Sequence, residues 1–327
     1  MKTVYFKNGG MEFREKEKPH PREGEAVVKV IMAGICNTDI ELLRGYYGFE
    51  GIAGHEFIGV VESSPGAEEW VGKRVAADIN CGCGKCALCR AGDSRHCAAR
   101  TVLGIVGRDG AFAEYTSLPI RNLREVPASI PTEAAVFAEP LAAALEPTRQ
   151  TRLNRDMRVL VLGDGKLGIL CALAFRNEVG ELTLCGHHER KLGIAGQAGI
   201  RTIRSEKGVS LKEYGLEERS FDVVVEATGS PEGSGVAITL TRPEGLVILK
   251  TTSRDPSLLD LARVVVDELT LLGSRCGDIG AALEYLGKGL VDPRPMIDAI
   301  VPFEKFDKAL ERACEHGACK ILVSFSN

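Results

Sequence analysis

The 327-residue chain is predicted to be an α/β protein in two parts, a barrel-like assembly of short strands followed by a doubly wound parallel sheet. Three observations predict this. The first third consists of short apolar segments bounded by glycine, as in small-strand β structure. From Pro131 onward the texture changes to alternating helical and strand-like segments. The length exceeds the roughly 100 to 200 residues of a usual domain, so two cores are expected.

In chain order, the short strands are expected at 26–32, 57–62 and 71–77, and an Ala-rich helical stretch at 132–148. A strand over 159–162 opens the β-α-β part. Further strands are expected at 182–185, 223–226, 246–250 and 270–272, separated by helically spaced segments or loops, which gives a parallel sheet. The tail after Gly273 returns to a mixed pattern and ends on a strand-like 320–325, expected to pack back on the first part. The boundaries follow as 1–140, 141–273 and 274–327, with no internal repeat.

Composition narrows the function. Hydrophobic residues at 44% and charged residues at 26% are ordinary globular values, and no apolar run is long enough to span a bilayer. A formal charge of -4 and a pI near 6.0 argue against nucleic acid or an anionic membrane, because phosphate binding rests on a surplus of Lys and Arg. The expected partner is a small molecule. The N-terminal MKTVYFKNGG alternates like a strand and lacks the apolar stretch and small-residue cleavage site of a secretory signal, so a soluble, cytoplasmic protein is expected.

Of eleven cysteines, Cys81, Cys83, Cys86, Cys89 and Cys97 crowd into one stretch, which in a cytosolic protein reads as metal binding. Cys83, Cys86, Cys89 and Cys97 stand at C-x2-C-x2-C-x7-C spacing, and four thiolates close a tetrahedral zinc shell with no open position. That makes a structural site, with Cys81 left as a spare thiol. A zinc-bearing nucleic-acid module uses similar spacing, but no basic and aromatic helix flanks this lobe.

A second metal site is suggested by Gly34-Ile35-Cys36-Asn37-Thr38-Asp39 and Gly54-His55-Glu56. Taken singly, a cysteine is usually a small core hydrophobe and a histidine a satisfied polar residue. Together, a soft thiolate and an imidazole, each beside a glycine and a carboxylate, suit zinc, with the carboxylates able to orient the ligands. The best candidate for a third ligand is Glu139 in Ala138-Glu139-Pro140-Leu141, where Pro140 suits the first helical position and places Glu139 at a helix start. On its own Glu139 reads as an exposed carboxylate at a helix N-terminus.

In this order the residues resemble the zinc-containing medium-chain dehydrogenase/reductase superfamily over essentially the whole chain. The resemblance implies a GroES-like barrel-type catalytic domain joined to a Rossmann dinucleotide-binding domain, two zinc ions per chain, and assembly as a homo-oligomer, dimer or tetramer. It makes Cys36, His55 and Glu139 the ligands of a catalytic zinc, with Glu56 or water completing the shell, and gives the structural zinc to the four cysteines. The Glu-Pro-Leu form is similar to the polyol and sugar dehydrogenase branch. Zinc with an open position acts as a Lewis acid toward an alcohol, and the resemblance makes the Thr38 hydroxyl the group that takes the alcohol proton. Where many relatives carry a histidine at the end of this relay, the chain has Glu41, which either continues the relay, leaves it to water, or sits on a solvated helix face.

The dinucleotide site is expected where Arg158 to Leu162 runs into Gly163-Asp164-Gly165-Lys166-Leu167-Gly168 and a helix follows over 169–176. Glycines there allow a tight turn, and the helix N-terminus faces a pyrophosphate. About 20 residues on, an acid would bind the adenosine ribose of NAD. Gly186 occupies that place, followed by His187, His188, Glu189, Arg190 and Lys191, whose donors suit a 2'-phosphate. The expectation leans to NADP, with a site tolerant of NAD as the alternative. Glu226-Ala227-Thr228-Gly229 resembles the family's strip beside the cofactor. The loop Gly45-Tyr46-Tyr47-Gly48-Phe49 is a candidate pocket wall or a surface loop, and Arg275 with Cys276 a candidate for recognising an anionic substrate. The leading function is zinc-dependent hydride transfer between an alcohol or polyol and NAD(P). A zinc-free enone or quinone reductase of the same superfamily is disfavoured by the metal ligands, and the alternative outside enzymes is a redox-sensing nucleotide binder whose zinc only holds the fold.

Overall fold

The computed structural model describes residues 1–206, 209–252 and 255–326, with the side chain of Tyr47 outside what is described. The chain forms two compact units, Met1–Glu139 with Ile279–Asn327 and Pro140–Asp278.

The first unit is built on a seven-stranded sheet. Its order is Leu123–Glu125, Arg74–Ala77, Glu56–Ser63, Glu25–Gly34, Lys320–Ser324 and Ile297–Pro302, with Tyr115–Pro119 also pairing along Glu25–Gly34. Pairing is antiparallel except between Ile297–Pro302 and Lys320–Ser324. Glu25–Gly34 is the central strand, and Val27, Val28, Val30 and Met32 are buried, on both faces, as that position requires. Its last residue, Gly34, pairs with Glu56 on one side and Leu322 on the other. That register brings three distant segments to one strand end. An aromatic core of Phe6, Phe112, Phe303, Phe306 and Phe325 fills the unit, with the Phe112 and Phe306 rings 4.7 Å apart.

The second unit holds a six-stranded, wholly parallel sheet in the order Arg201–Arg204, Glu181–Gly186, Arg158–Leu162, Phe221–Glu226, Thr241–Leu249 and Thr270–Gly273. Strand order therefore reverses at Arg158–Leu162, and such a reversal opens a crevice at the carboxyl ends of the strands. The helix Lys166–Phe175 is buried from Gly168 onward, so its apolar surround matches the near-continuous apolar strand RVLVL it follows.

Some expectations change. The Ala-rich stretch is two helices, Thr132–Ala135 and Ala138–Gln150, and Pro140 is the third residue of the second, still inside the first turn where a missing N–H is harmless. The strand expected over 71–77 is shortened to Arg74–Ala77 by the single turn Glu68–Trp70 before it. Residues 274–278 lie with the second unit, where buried Lys250 Nζ donates to Ser274 Oγ (3.3 Å) and to the Arg275 carbonyl (3.2 Å). Among the described residues no helix is long and apolar enough to cross a membrane.

Candidate active site

Cys36 follows Ile35 at the end of the central strand and caps the helix Asn37–Leu43. The third residue of that helix, Asp39, is fully buried and accepts the N–H of Cys36 (2.8 Å) and of Gly54 (3.2 Å). One carboxylate thus ties two segments together, and its Oδ1 also stands 3.3 Å from His55 Nδ1. Gly54 has φ +95°, and a Cβ there would meet the Phe112 ring at 2.7 Å, so only glycine allows the turn that delivers His55. The outcome is that Cys36, His55 and Glu56 place ligand atoms within 4.8 Å of one another.

The donor set suits zinc: a thiolate, an imidazole and a carboxylate at a site walled by protein. Buried His55 turns its Nδ1 to Asp39 Oδ1, its nearest polar group among the described residues, so Nε2 remains as the ligand atom. Burial works against a charged imidazole here, yet Asp39 and Cys36 hold His55 well above its ordinary pKa. The pocket is built to hold positive charge.

Glu139 stands outside that 4.8 Å set, at the second residue of Ala138–Gln150. Its carboxyl nevertheless faces the same site: burial pushes its pKa up to about 7, with His55 pulling it down and Glu56 and Asp78 pushing it up. Thr38 Oγ1 is 3.8 Å from Cys36 Sγ. Glu41 pairs at 3.0 Å with Arg44, the residue that caps the end of this helix.

Two site residues escaped the sequence reading. Lys320, the first residue of the last strand, is buried to 1% exposure and pairs with Glu56 Oε2, with its ammonium 5.4 Å from the centre of the Phe137 ring. Burial opposes its charge, but the Glu56 carboxylate and Cys36 sulfur hold its pKa above the ordinary value. The available signal was a lone lysine opening the apolar strand KILVS. Asp78, felt by Glu139, carried no motif.

Cys83, Cys86, Cys89 and Cys97 also place their sulfurs within 4.8 Å of one another. Cys86 caps the short helix Ala87–Arg90, with the Cys89 N–H donating to its sulfur at 3.5 Å, and the Cys83 N–H donates to the Cys97 sulfur at 3.4 Å. Backbone N–H groups of Lys85 and Cys86 draw the Cys83 thiol down to about 6, whereas burial pushes Cys89 up to about 11. Such a set readily gives up protons to a soft cation. Cys81 is outside the set, buried, with its thiol pushed up to about 11 by burial.

In the second unit, Gly163 has φ +104° and a Cβ there would lie 2.4 Å from the Ala227 carbonyl, while a Cβ at Gly168 would lie 1.9 Å from the Gly163 carbonyl. Both are sterically obligatory. Gly165, by contrast, has no protein atom within 4 Å of where a Cβ would be, which leaves bare backbone at the start of the helix for a pyrophosphate to approach. Lys166 and Leu167 form the first helical positions. Asp164 is buried, and its carboxylate accepts the N–H of His187 (2.9 Å) and His188 (2.6 Å) and meets His188 Nδ1 at 3.1 Å. His187 Nδ1 is 2.7 Å from the Ser205 carbonyl, and Arg190 is exposed in the first turn of Glu189–Gln197. Thr228 donates through N–H (2.9 Å) and Oγ1 (2.6 Å) to Oε1 of fully buried Glu226.

The remaining candidates divide. Phe49 meets Phe6 edge-on at 6.5 Å, and with Ile105 and Val106 lines a cleft in the first unit; the Tyr47 side chain lies outside the described residues. Arg275 is exposed and Cys276 half-buried in the second unit.

Residues 22–128 match the alcohol dehydrogenase GroES-like domain family. The chain is 30% identical to the starvation-sensing protein RspB of Escherichia coli K12, with 95% of each chain covered. It is 28% identical to a sorbitol dehydrogenase of Halalkalibacterium halodurans, with 98% of each covered. Among solved structures, RspB of Escherichia coli CFT073, described as a short chain alcohol dehydrogenase complexed with NADH, superposes with TM-score 0.92 at 28% identity over 99% of both chains. An alcohol dehydrogenase from Thermus sp. ATN1 superposes with TM-score 0.90 at 27% identity over 100% of both.

Proposed function

Because the chain belongs to the zinc-containing medium-chain dehydrogenase/reductase superfamily, whose NAD(P)-dependent alcohol and polyol dehydrogenases it resembles throughout, we propose that it interconverts a polyol or related alcohol and its carbonyl product with a zinc ion held by Cys36, His55 and Glu139. The convergence of Cys36, His55 and Glu56 within 4.8 Å, beside the half-buried Glu139, is the observation that carries this reading.

Zinc, when bound, supplies a Lewis acid that lowers the pKa of an alcohol. The residues do the rest. Asp39 fixes the His55 ring and, through the Cys36 N–H, the cysteine loop. Lys320 occupies Glu56 Oε2, which favours leaving the fourth position to substrate or water. The Thr38 hydroxyl would take the alcohol proton while handing its own on to the dinucleotide ribose and solvent, and a bound nicotinamide would supply the hydride acceptor. In the second unit, Gly163, Gly165 and Gly168 shape the turn, the N–H groups at Lys166 and Leu167 would hold the pyrophosphate, and Thr228 would lie beside the bound cofactor. At the adenosine end, His187, His188 and Arg190 favour NADP while the Asp164 carboxylate among them opposes it. Cys83, Cys86, Cys89 and Cys97 would hold a second zinc. Exposed Leu258, Leu261, Val265 and Val266 support a homo-oligomer, dimer or tetramer, checked by light scattering.

The deciding experiment is a panel of polyols, sugar alcohols and simple alcohols, followed by absorbance of the reduced cofactor with NAD and NADP in parallel. Cys36→Ala and Glu139→Ala are each expected to lower turnover by about three orders of magnitude with the far-UV dichroism unchanged. Full turnover in either variant overturns the ligand assignment.

A further inference from the structure

We infer that Asp164, a residue between the glycines of the dinucleotide turn, reads the adenosine ribose and makes the protein prefer NAD over NADP. This rests on the dehydrogenase reading only in requiring that a dinucleotide binds.

An NAD-selective sheet of this kind usually ends its second strand on an acid that accepts the ribose 2'-OH. Here that strand, Glu181–Gly186, ends on glycine. The space is not empty. A Cβ at Gly186 would stand 2.4 Å from both Cβ and Cγ of Asp164 and 2.7 Å from its Oδ2, so the missing side chain is what admits the Asp164 carboxylate. The carboxylate reaches across from the glycine turn and settles on the two residues that follow the strand, accepting the N–H of His187 and of His188. The acid absent from the end of the strand is thereby supplied from the end of its neighbour.

The acceptor capacity fits a hydroxyl. Oδ2 takes both backbone N–H groups, whereas Oδ1 meets only His188 Nδ1, at 3.1 Å, among the described residues. An ionised carboxylate oxygen has room for a further donor and none to offer, so it matches a 2'-OH and repels a 2'-phosphate. Burial works against the charge of Asp164, but the N–H and ring of His188 and the N–H of His187 outweigh it and hold the carboxyl below its ordinary pKa.

Three of the nearby basic side chains are engaged. His187 Nδ1 meets the Ser205 carbonyl, His188 Nδ1 meets Asp164, and Arg204 pairs with Glu189 at the surface, 3.2 Å apart. The two histidines are thus directed into the protein's own structure, while Arg190 is exposed.

The test measures dissociation constants of NADH and NADPH by cofactor fluorescence on the zinc-loaded protein and on two variants. Wild type is expected to bind NADH at least about tenfold more tightly, the scale of one partly screened unit charge a few ångströms from a phosphate. Asp164→Asn, isosteric but uncharged, is expected to bring the two constants within about threefold of each other. Gly186→Ala, whose methyl displaces the carboxylate, is expected to move the ratio the same way and keeps the test decisive if Asp164→Asn does not fold. Tighter binding of NADPH by wild type, or a ratio unmoved in the variants, overturns the assignment to Asp164 and leaves the dehydrogenase reading standing. Binding of neither dinucleotide by wild type overturns both.

Discussion

Lys320 is an ammonium group in a place where an ammonium is costly, and what makes it tolerable is the Glu56 carboxylate against it. Removing one partner of a buried pair strands the other charge. Lys320→Met is therefore expected to lower stability by about 3 to 5 kcal/mol, read as a fall in the urea midpoint, with Lys320→Arg recovering much of it; an unchanged midpoint in the Met variant would mean the pair is dispensable. Glu139 gives a pH dependence at the same site. Its carboxyl, raised by burial from 4.5 to about 7 in the metal-free protein, holds its proton more tightly folded than unfolded. That contribution to stability is present below 4.5 and is lost as pH rises through about 7. Zinc needs the carboxylate, so zinc binding at pH 6 is expected to expel this proton, and Glu139→Gln should reduce the release by about one proton in calorimetry run in buffers of differing ionisation enthalpy. Equal release in both proteins would remove Glu139 from the ligand set. At this scale, legibility followed local sequence. Cys36 and His55 stand out because their glycine and acidic neighbours are adjacent in the chain, whereas Lys320 reaches Glu56 through the pairing of separate strands around Gly34, which no local window contains. Asp164 sat inside a recognised motif, but at a position whose identity the motif leaves free.

At the scale of elements, the turn between Arg158–Leu162 and Lys166–Phe175 is fixed by contact rather than by preference, since a methyl at Gly168 would press on the Gly163 carbonyl at 1.9 Å. Gly168→Ala is expected to weaken NADH binding by about tenfold or more while zinc content stays at the wild-type value. Unaltered NADH affinity would show that the turn can relax. The strands Arg158–Leu162, Glu181–Gly186 and Phe221–Glu226 are readable because buried parallel strands are continuous apolar runs. Arg201–Arg204 is not: four residues flanked by arginines on an edge carry too little apolar signal, and only pairing with Glu181–Gly186 makes them a strand. The helical stretch from Thr132 breaks at Val136 and Phe137, both buried and Phe137 beside Lys320, a break that alanine content does not reveal.

For the whole molecule, two candidate metal sites of different character share one unit, the four-cysteine lobe and the Cys36 site. Cys97→Ser is expected to reduce zinc from two ions per chain to about one and to lower the thermal midpoint, since a closed four-thiolate site contributes folding free energy. Metal analysis that still finds two would assign the second ion elsewhere. The chain leaves this unit at Glu139 and re-enters it at Ile279, and the strand Lys320–Ser324 inserts between Glu25–Gly34 and Ile297–Pro302. During synthesis residues 320–324 must therefore emerge before the central strand gains that neighbour and Glu56 its counter-ion. The dinucleotide unit, contiguous from Pro140 to Asp278, can emerge and fold in one pass. A nascent or clipped chain ending before Lys320 would keep the dinucleotide unit with an unfinished metal pocket, so loss of that strand would silence the chemistry before it silenced cofactor uptake.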